Sequence, residues 1–363
     1  MPSFKRCYHG ALWGLVVFLI HFIWLYELLV SKSNATFLQA TLIYFFVIFY
    51  AFILSSLWFL IFRWFGFIIS TIFFYFFLQN YSLWFLGRVE GYPFLNPFIP
   101  LAKYKWFLYL YSLIFCFSLP QQYNFKKNDF KFFYLKPTFN SFDKKGKKIS
   151  ASILGQNIYH ELCKLDLEKY SSECKNLIIV SPETFYPFCL NKNLEHVKLW
   201  GCALPDNAHF LLGSQRIVLE CDSTKIFQTV YWLNKGRIKN FYDKKHCVPF
   251  TEKLPSRWKY FKWACNMFLK EKGEFDSGCD KEGVDFFEIS DDMVIIPQIC
   301  SDIFFTKIVF EKNYKFKNKI LCFFVNDSWF LGYFKKIMEN LGQIKSIEYG
   351  IPLIYISHEK CIL

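Results

Sequence analysis

Long apolar runs fill the first third of the chain, and short ones alternate with charge over the rest. Residues 11–30, ALWGLVVFLIHFIWLYELLV, carry one His and one Glu; positions 33–62 carry no charge, and neither do 64–87. Each run reaches the roughly 20 residues that cross a hydrocarbon slab of about 30 Å. A fourth run, 106–120 (WFLYLYSLIFCFSLP), is shorter and suits a span, a tilted segment or an interfacial one. The first run does not read as a cleavable leader, being long, without a small-residue cleavage site and followed by further spans. The pattern predicts an α-helical transmembrane region over 1–123 with three to five helices. Within it, 87–105 (GRVEGYPFLNPFIPLAKYK) has three prolines and two glycines, which forbid a continuous helix. Its aromatic residues suit headgroup depth, so it reads as a lipid-facing loop or as an ordinary connector.

Past residue 123 the pattern changes. Strand-like runs fall at 131–135, 176–182, 209–218, 229–234, 293–300, 319–327 and 351–357, with helix-like stretches at 150–172, 301–313 and 329–350. Short apolar strands with interposed helices predict one α/β domain over 124–363.

Composition changes this picture little. The chain is 53% hydrophobic with 47 Phe, which inflates hydropathy everywhere. Its net charge of +13 is spread along the chain, with no dense arginine patch. That disfavours nucleic acid as a partner and leaves anionic lipid or a lysine-rich solvated surface. The 13 cysteines show no CxxC pair and no zinc spacing, so neither a metal site nor a disulfide framework is expected.

Three stretches place a reactive group just past a strand-like run. In NLIIVSPETFYP, Glu183 follows a buried-type strand, where partial desolvation suits a carboxylate to general-base work. In NFYDKKHCVPFTEKLP (240–255), Lys244 stands eight residues before Glu252; an ammonium held there can stabilise an oxyanion. In IIPQICSD (295–302), Cys300 sits at a strand-to-helix break, which favours a nucleophilic thiolate. Singly, each also fits a solvated loop residue or a buried strand cysteine. Together they compose covalent acyl-transfer chemistry, with the backbone N–H of Ser301 as a second oxyanion donor.

This series resembles the nitrilase (carbon–nitrogen hydrolase) superfamily, and within it the apolipoprotein N-acyltransferases. SPET (181–184) resembles the catalytic-glutamate motif of that family. YDKKHCVPFTEKLP (242–255) resembles YxKxxLVPFGExxP, ICSD (299–302) stands where the family reads ICYE, VNDSWF (325–330) matches NDxWF, and GYPFLNPFIPLA (91–102) resembles its membrane loop. The resemblance implies an α-β-β-α nitrilase-like sandwich after the membrane region. It assigns Glu183 as base, Lys244 to the oxyanion, Cys300 as nucleophile and Glu252 as a supporting carboxylate, with Asp302, Asn326 and Trp329 in support. It further implies a multi-pass protein of the bacterial inner membrane with its catalytic domain facing the periplasm, acting as a monomer without cofactor or metal. The acyl donor is a phospholipid and the acceptor the N-terminal amine of a diacylglyceryl-cysteine lipoprotein. Ser301, Asp302 and Thr251 stand where the family has Tyr, Glu and Gly, and Lys345 and Ile351 replace arginines. Against the family the chain reads as shortened at both ends. Four spans would return it to the side of Lys5 and Arg6, so the 106–120 segment decides the topology. A membrane-tethered amidase and a catalytically decayed membrane protein are the alternatives.

Overall fold

The computed structural model describes residues 36–46, 130–137, 149–220, 223–248, 252–253, 275–278, 285–305, 318–329 and 332–362, with scattered positions between 12 and 56. The chain divides into two compact units. One comprises Met1–Ile99, Val248–Glu274 and Trp329–Ile337; the other comprises Pro100–Cys247, Phe275–Ser328 and Met338–Leu363.

In the first unit, residues 37–46 are helical. Thr36 and Gln39 form a reciprocal cap: the Gln39 N–H donates to Thr36 Oγ1 (3.3 Å) and the Thr36 N–H to Gln39 Oε1 (2.9 Å). Phe37, Leu38, Leu42, Phe45 and Phe46 point outward into the surroundings. Among the described residues no helix is long and apolar enough to cross a membrane. The 64–87 and 106–120 segments and the 87–105 loop lie outside the described residues.

Among the described residues, the second unit holds two five-stranded sheets. The first orders β1 (Phe130–Tyr134), β2 (Asn176–Val180), β3 (Ala208–Glu220), β4 (Ser223–Asn234) and β5 (Arg237–Asp243) side by side. β1, β2 and β3 run parallel; β3–β4 and β4–β5 are antiparallel hairpins. Lys235 and Gly236 turn the second hairpin, both with positive φ, as a two-residue turn matched to strand twist requires. The second sheet comprises β6 (Phe287–Ser290), β7 (Met293–Ile299), β8 (Asn318–Phe324), β9 (Leu353–Ile356) and β10 (Cys361–Ile362), with β7, β8 and β9 parallel.

Helices α1 (Ala151–Cys163), α2 (Leu167–Ser171) and α3 (Leu194–Gly201) follow β1 and β2, while α4 (Asp302–Phe305) and α5 (Gly332–Tyr349) follow β7 and β8. Leu154, Ile158 and Leu162 of α1 and Val197 and Trp200 of α3 pack on Leu177, Ile179, Phe210, Leu212, Tyr231 and Leu233, alternate positions of β2, β3 and β4. The intervening positions face the second sheet, where Trp232 meets Phe287 with ring centroids 6.0 Å apart. On the outer face of that sheet, Gly342 of α5 lies against Leu353 and Phe323. Met338, Leu341, Ile344 and Ile347 form its buried stripe at helical spacing. The layers are therefore α-β-β-α. Both faces of each sheet are covered, which is why β2 and β7 read as continuous apolar runs rather than alternating ones.

Candidate active site

Glu183, Lys244, Cys300 and Asn326 all follow the C-terminal ends of strands, β2, β5, β7 and β8 respectively. Each end is shaped by a local device.

After β2 the chain passes over β3 at Gly213. A Cβ there would fall 2.1 Å from the Pro182 oxygen and 2.9 Å from Glu183 Cα, so only glycine permits the crossing. The Gly213 N–H donates to Ser181 Oγ (3.2 Å), and the Tyr186 N–H donates to the Gly213 oxygen (3.0 Å). Thr184 adopts a left-handed φ of 57°. The Glu183 side chain is turned into the protein, where its carboxylate accepts from Lys244 Nζ (3.1 Å) and from the Asn326 N–H (2.9 Å).

Lys244 leaves the end of β5 between two crossings. Its N–H donates to the Gln228 oxygen (2.8 Å), and its oxygen accepts from the Gly278 N–H (2.8 Å). A Cβ at Gly278 would meet Asp243 at under 3 Å. Its side chain is fully buried, and Glu183 is its ion-pair partner. Beside it, Asp243 pairs with Arg216, accepts the Thr229 hydroxyl (2.6 Å), and so fixes the strand end from which Lys244 departs. The Arg216 guanidinium lies between the Phe227 and Phe241 rings, at 4.6 and 4.4 Å.

Cys300 is buried and takes a left-handed φ of 45°, costly for a residue with a Cβ and a mark of a constrained turn. Its N–H donates to the Phe324 oxygen (2.8 Å). The next two residues fasten this turn to the loop after Lys244. The Ser301 hydroxyl donates to the His246 oxygen. Asp302 accepts the His246 N–H (2.7 Å), the Lys245 N–H (3.0 Å) and the Tyr242 hydroxyl (3.0 Å). Burial pushes the Asp302 carboxyl up to about 7, against the opposing pull of the Lys244 charge and these donors. The described helix after this turn is the four residues of α4.

The structure thus brings Glu183 and Lys244 into contact and links the turn of Cys300 to the Lys244 loop through Ser301 and Asp302. Asn326 contributes its main-chain N–H; its side chain accepts the Ser328 hydroxyl instead (2.5 Å). Trp329 ends a short 3-10 turn. Glu252 belongs to the first unit, where its carboxylate accepts the Val248 N–H (2.7 Å). Sequence reasoning missed Gly213, Gly278, the Arg216–Asp243 pair and His358, whose ring meets the Glu183 carbonyl (2.8 Å). Gly213 carried a signal, since an isolated glycine within a strand marks close backbone approach; Gly278 and His358 carried none. Among the described residues no three His, Cys, Asp or Glu side chains are grouped to hold a metal ion.

An α-β-β-α sandwich with a buried carboxylate–ammonium pair and a strained cysteine turn at its strand ends is a frame fit for acyl chemistry. In keeping with this, the chain is similar to apolipoprotein N-acyltransferases. It is 27% identical over 184 residues to that of Rhodopseudomonas palustris and 26% over 184 residues to that of Brucella suis, covering 49% of this chain and 33% of each relative. That of Rhizobium leguminosarum is 26% identical over 183 residues with the same coverage. The match spans about a third of the length of these relatives. No family model matches the chain. Among solved structures, glutamine-dependent NAD+ synthetases of Acinetobacter baumannii and Cytophaga hutchinsonii align with TM-scores of 0.35 and 0.37 at 12% identity. They cover 57% and 58% of this chain and 35% and 33% of those proteins.

Proposed function

We propose that this protein is a membrane-bound N-acyltransferase that moves an acyl chain from a phospholipid to the N-terminal amine of a diacylglyceryl-cysteine lipoprotein through a thioester on Cys300. The observation that carries this reading is the buried Glu183–Lys244 pair at the same strand ends as the Cys300 turn. The similarity to apolipoprotein N-acyltransferases supports the substrate class.

In the first half-reaction Glu183 takes the thiol proton and the sulfur attacks the ester carbonyl carbon. The tetrahedral oxyanion lies against Lys244 and the Ser301 N–H. It collapses as the C–O bond breaks, and the lysophospholipid leaves with the proton from Glu183. In the second, the acceptor amine attacks the thioester carbonyl. The C–S bond breaks, the amide forms, and the amine proton passes through Glu183 to the sulfur, restoring the thiol. The apolar run of the first unit would hold the site at the bilayer that contains both substrates, in the inner membrane with the catalytic domain on the periplasmic side.

The test uses the full chain in detergent with a phospholipid bearing an alkyne-tagged acyl chain. A hydroxylamine-sensitive adduct on wild type, absent from Cys300→Ala at equal expression, is expected; labelling that persists in Cys300→Ala would sink the proposal. Adding a diacylglyceryl-cysteine peptide should yield the triacylated peptide. Free fatty acid as sole product would instead identify an amidase-type hydrolase.

A further inference from the structure

Glu183 is held from two sides, by the loop after β8 and by the turn after β9. The Asn326 N–H donates to its Oε2 (2.9 Å). The adjoining residue, Asp327, is 2% exposed and accepts the main-chain N–H of His358 through Oδ1 (3.1 Å). The ring of His358 then returns to Glu183, with Nε2 2.8 Å from its main-chain oxygen. The bonds close a ring from carboxylate to Asn326, through Asp327 to His358 and back to the carbonyl of the same glutamate. His358 is itself fixed, since it stands in the turn after β9 closed by the Ser357 N–H to the Lys360 oxygen (2.9 Å) and the Lys360 N–H to Ser357 Oγ (3.2 Å).

The partner determines the tautomer. A carbonyl oxygen only accepts, so Nε2 carries the proton. Burial lowers the pKa of His358, against the smaller opposing pull of the Glu183 carbonyl and the Asp327 charge, so the imidazole is neutral near pH 7. A neutral ring at this place donates one directed bond and adds no charge that would compete with Lys244 for the Glu183 carboxylate.

We infer that His358 is a positioning residue for the acyl-transfer site, fixing the main chain of Glu183 so that its carboxylate keeps one orientation toward Lys244 and the thiol. The inference rests on the reading of Glu183 as the base for Cys300. Rotation about the bonds flanking the Glu183 carbonyl swings the carboxylate, and a misplacement of about 1 Å in such a group costs on the order of 100-fold in rate. Glutamine can place an amide N–H near the Nε2 position; leucine fills similar space without a donor.

The experiment measures iodoacetamide alkylation of Cys300 in the full-length protein against pH, resolved from the other cysteines by peptide mass spectrometry. This readout needs no acyl donor. His358→Leu should shift the alkylation profile to higher pH and slow alkylation near pH 7 by roughly 10- to 100-fold. His358→Gln should stay within about threefold of wild type, because it retains the donor. Both variants should keep the wild-type thermal unfolding midpoint to within a few degrees. A profile unchanged in His358→Leu overturns the inference. So do equal losses in both variants, losses that track unfolding, or a Cys300 unreactive in wild type. Failure of the acyltransferase reading looks different. There, alkylation responds to His358→Leu and Glu183→Gln as expected, but the tagged phospholipid leaves no adduct on Cys300.

Discussion

Lys244 is the residue on which the site's electrostatics turn. A fully buried ammonium against a carboxylate that is 5% exposed lacks water to screen either charge when the other is removed. Breaking such a pair typically costs about 3–5 kcal/mol, because the remaining charge is left uncompensated. Lys244→Met should therefore lower the unfolding free energy by about 3 kcal/mol in urea titrations, and Glu183→Gln by a similar amount. The double variant should recover at least half of the summed loss; additive losses would show that the two groups are not coupled. Much at this scale was legible. Glu183 and Cys300 each followed an apolar run and Lys244 a recognisable YDK, and all three stand just beyond strand ends in the structure. The left-handed turn at Cys300 was not legible, since nothing in a non-glycine residue announces positive φ. Nor was His358, whose role comes from a loop 175 residues away in sequence.

Among the elements, the apolar strands β1 to β4 and β7 to β9 were legible, while β5, β6 and the two-residue β10 were not. β7 and β8 are apolar runs covered on both sides. β5, RIKNFYD, is an edge strand whose outward lysine and arginine look like loop sequence. The stretch 150–172 read as one helix but forms α1 and α2. Asp166 breaks it with a left-handed φ of 47°, a conformation that aspartate tolerates better than most residues. The crossing of the Glu183 segment over β3 yields a further prediction. Gly213→Ala puts a methyl 2.1 Å from the Pro182 oxygen, against backbone that has no slack. If Cys300 forms the proposed thioester, its formation should fall by at least about 100-fold, since the crossing segment carries Glu183, the proposed base. Ser214→Ala, one residue along the same strand, should cost far less in the same phospholipid assay.

Across the molecule, His209 and Asp302, both among the described residues, have opposing effects on stability. Burial, aided by the Lys239 charge, lowers His209 to about 4, so between pH 6.5 and 4 the unfolded chain binds a proton that the folded one refuses. Stability from this group is present above 6.5 and is lost as pH falls toward 4. Asp302, raised to about 7, acts in reverse: between 3.8 and 7 the folded chain keeps a proton that the unfolded one releases, and stability is lost as pH rises. The two slopes nearly cancel between pH 4 and 6.5. Asp302→Asn removes one of them, so chemical-denaturation stability of that variant should fall on acidification by about 1 kcal/mol per pH unit more steeply than wild type. Parallel curves would rule out the proton held by Asp302.

The ring around Glu183 also has a consequence in time. Its closing bonds join residues 143 and 175 positions apart. Contacts of such separation form late, because the loop they close must be ordered before they return any energy. During synthesis, β1 to β5 can pair while the chain is still emerging, but Glu183, the proposed base, lacks its His358 restraint until that turn has left the ribosome. A nascent chain therefore leaves the Glu183 carboxylate without its full set of restraints until that turn has folded against it.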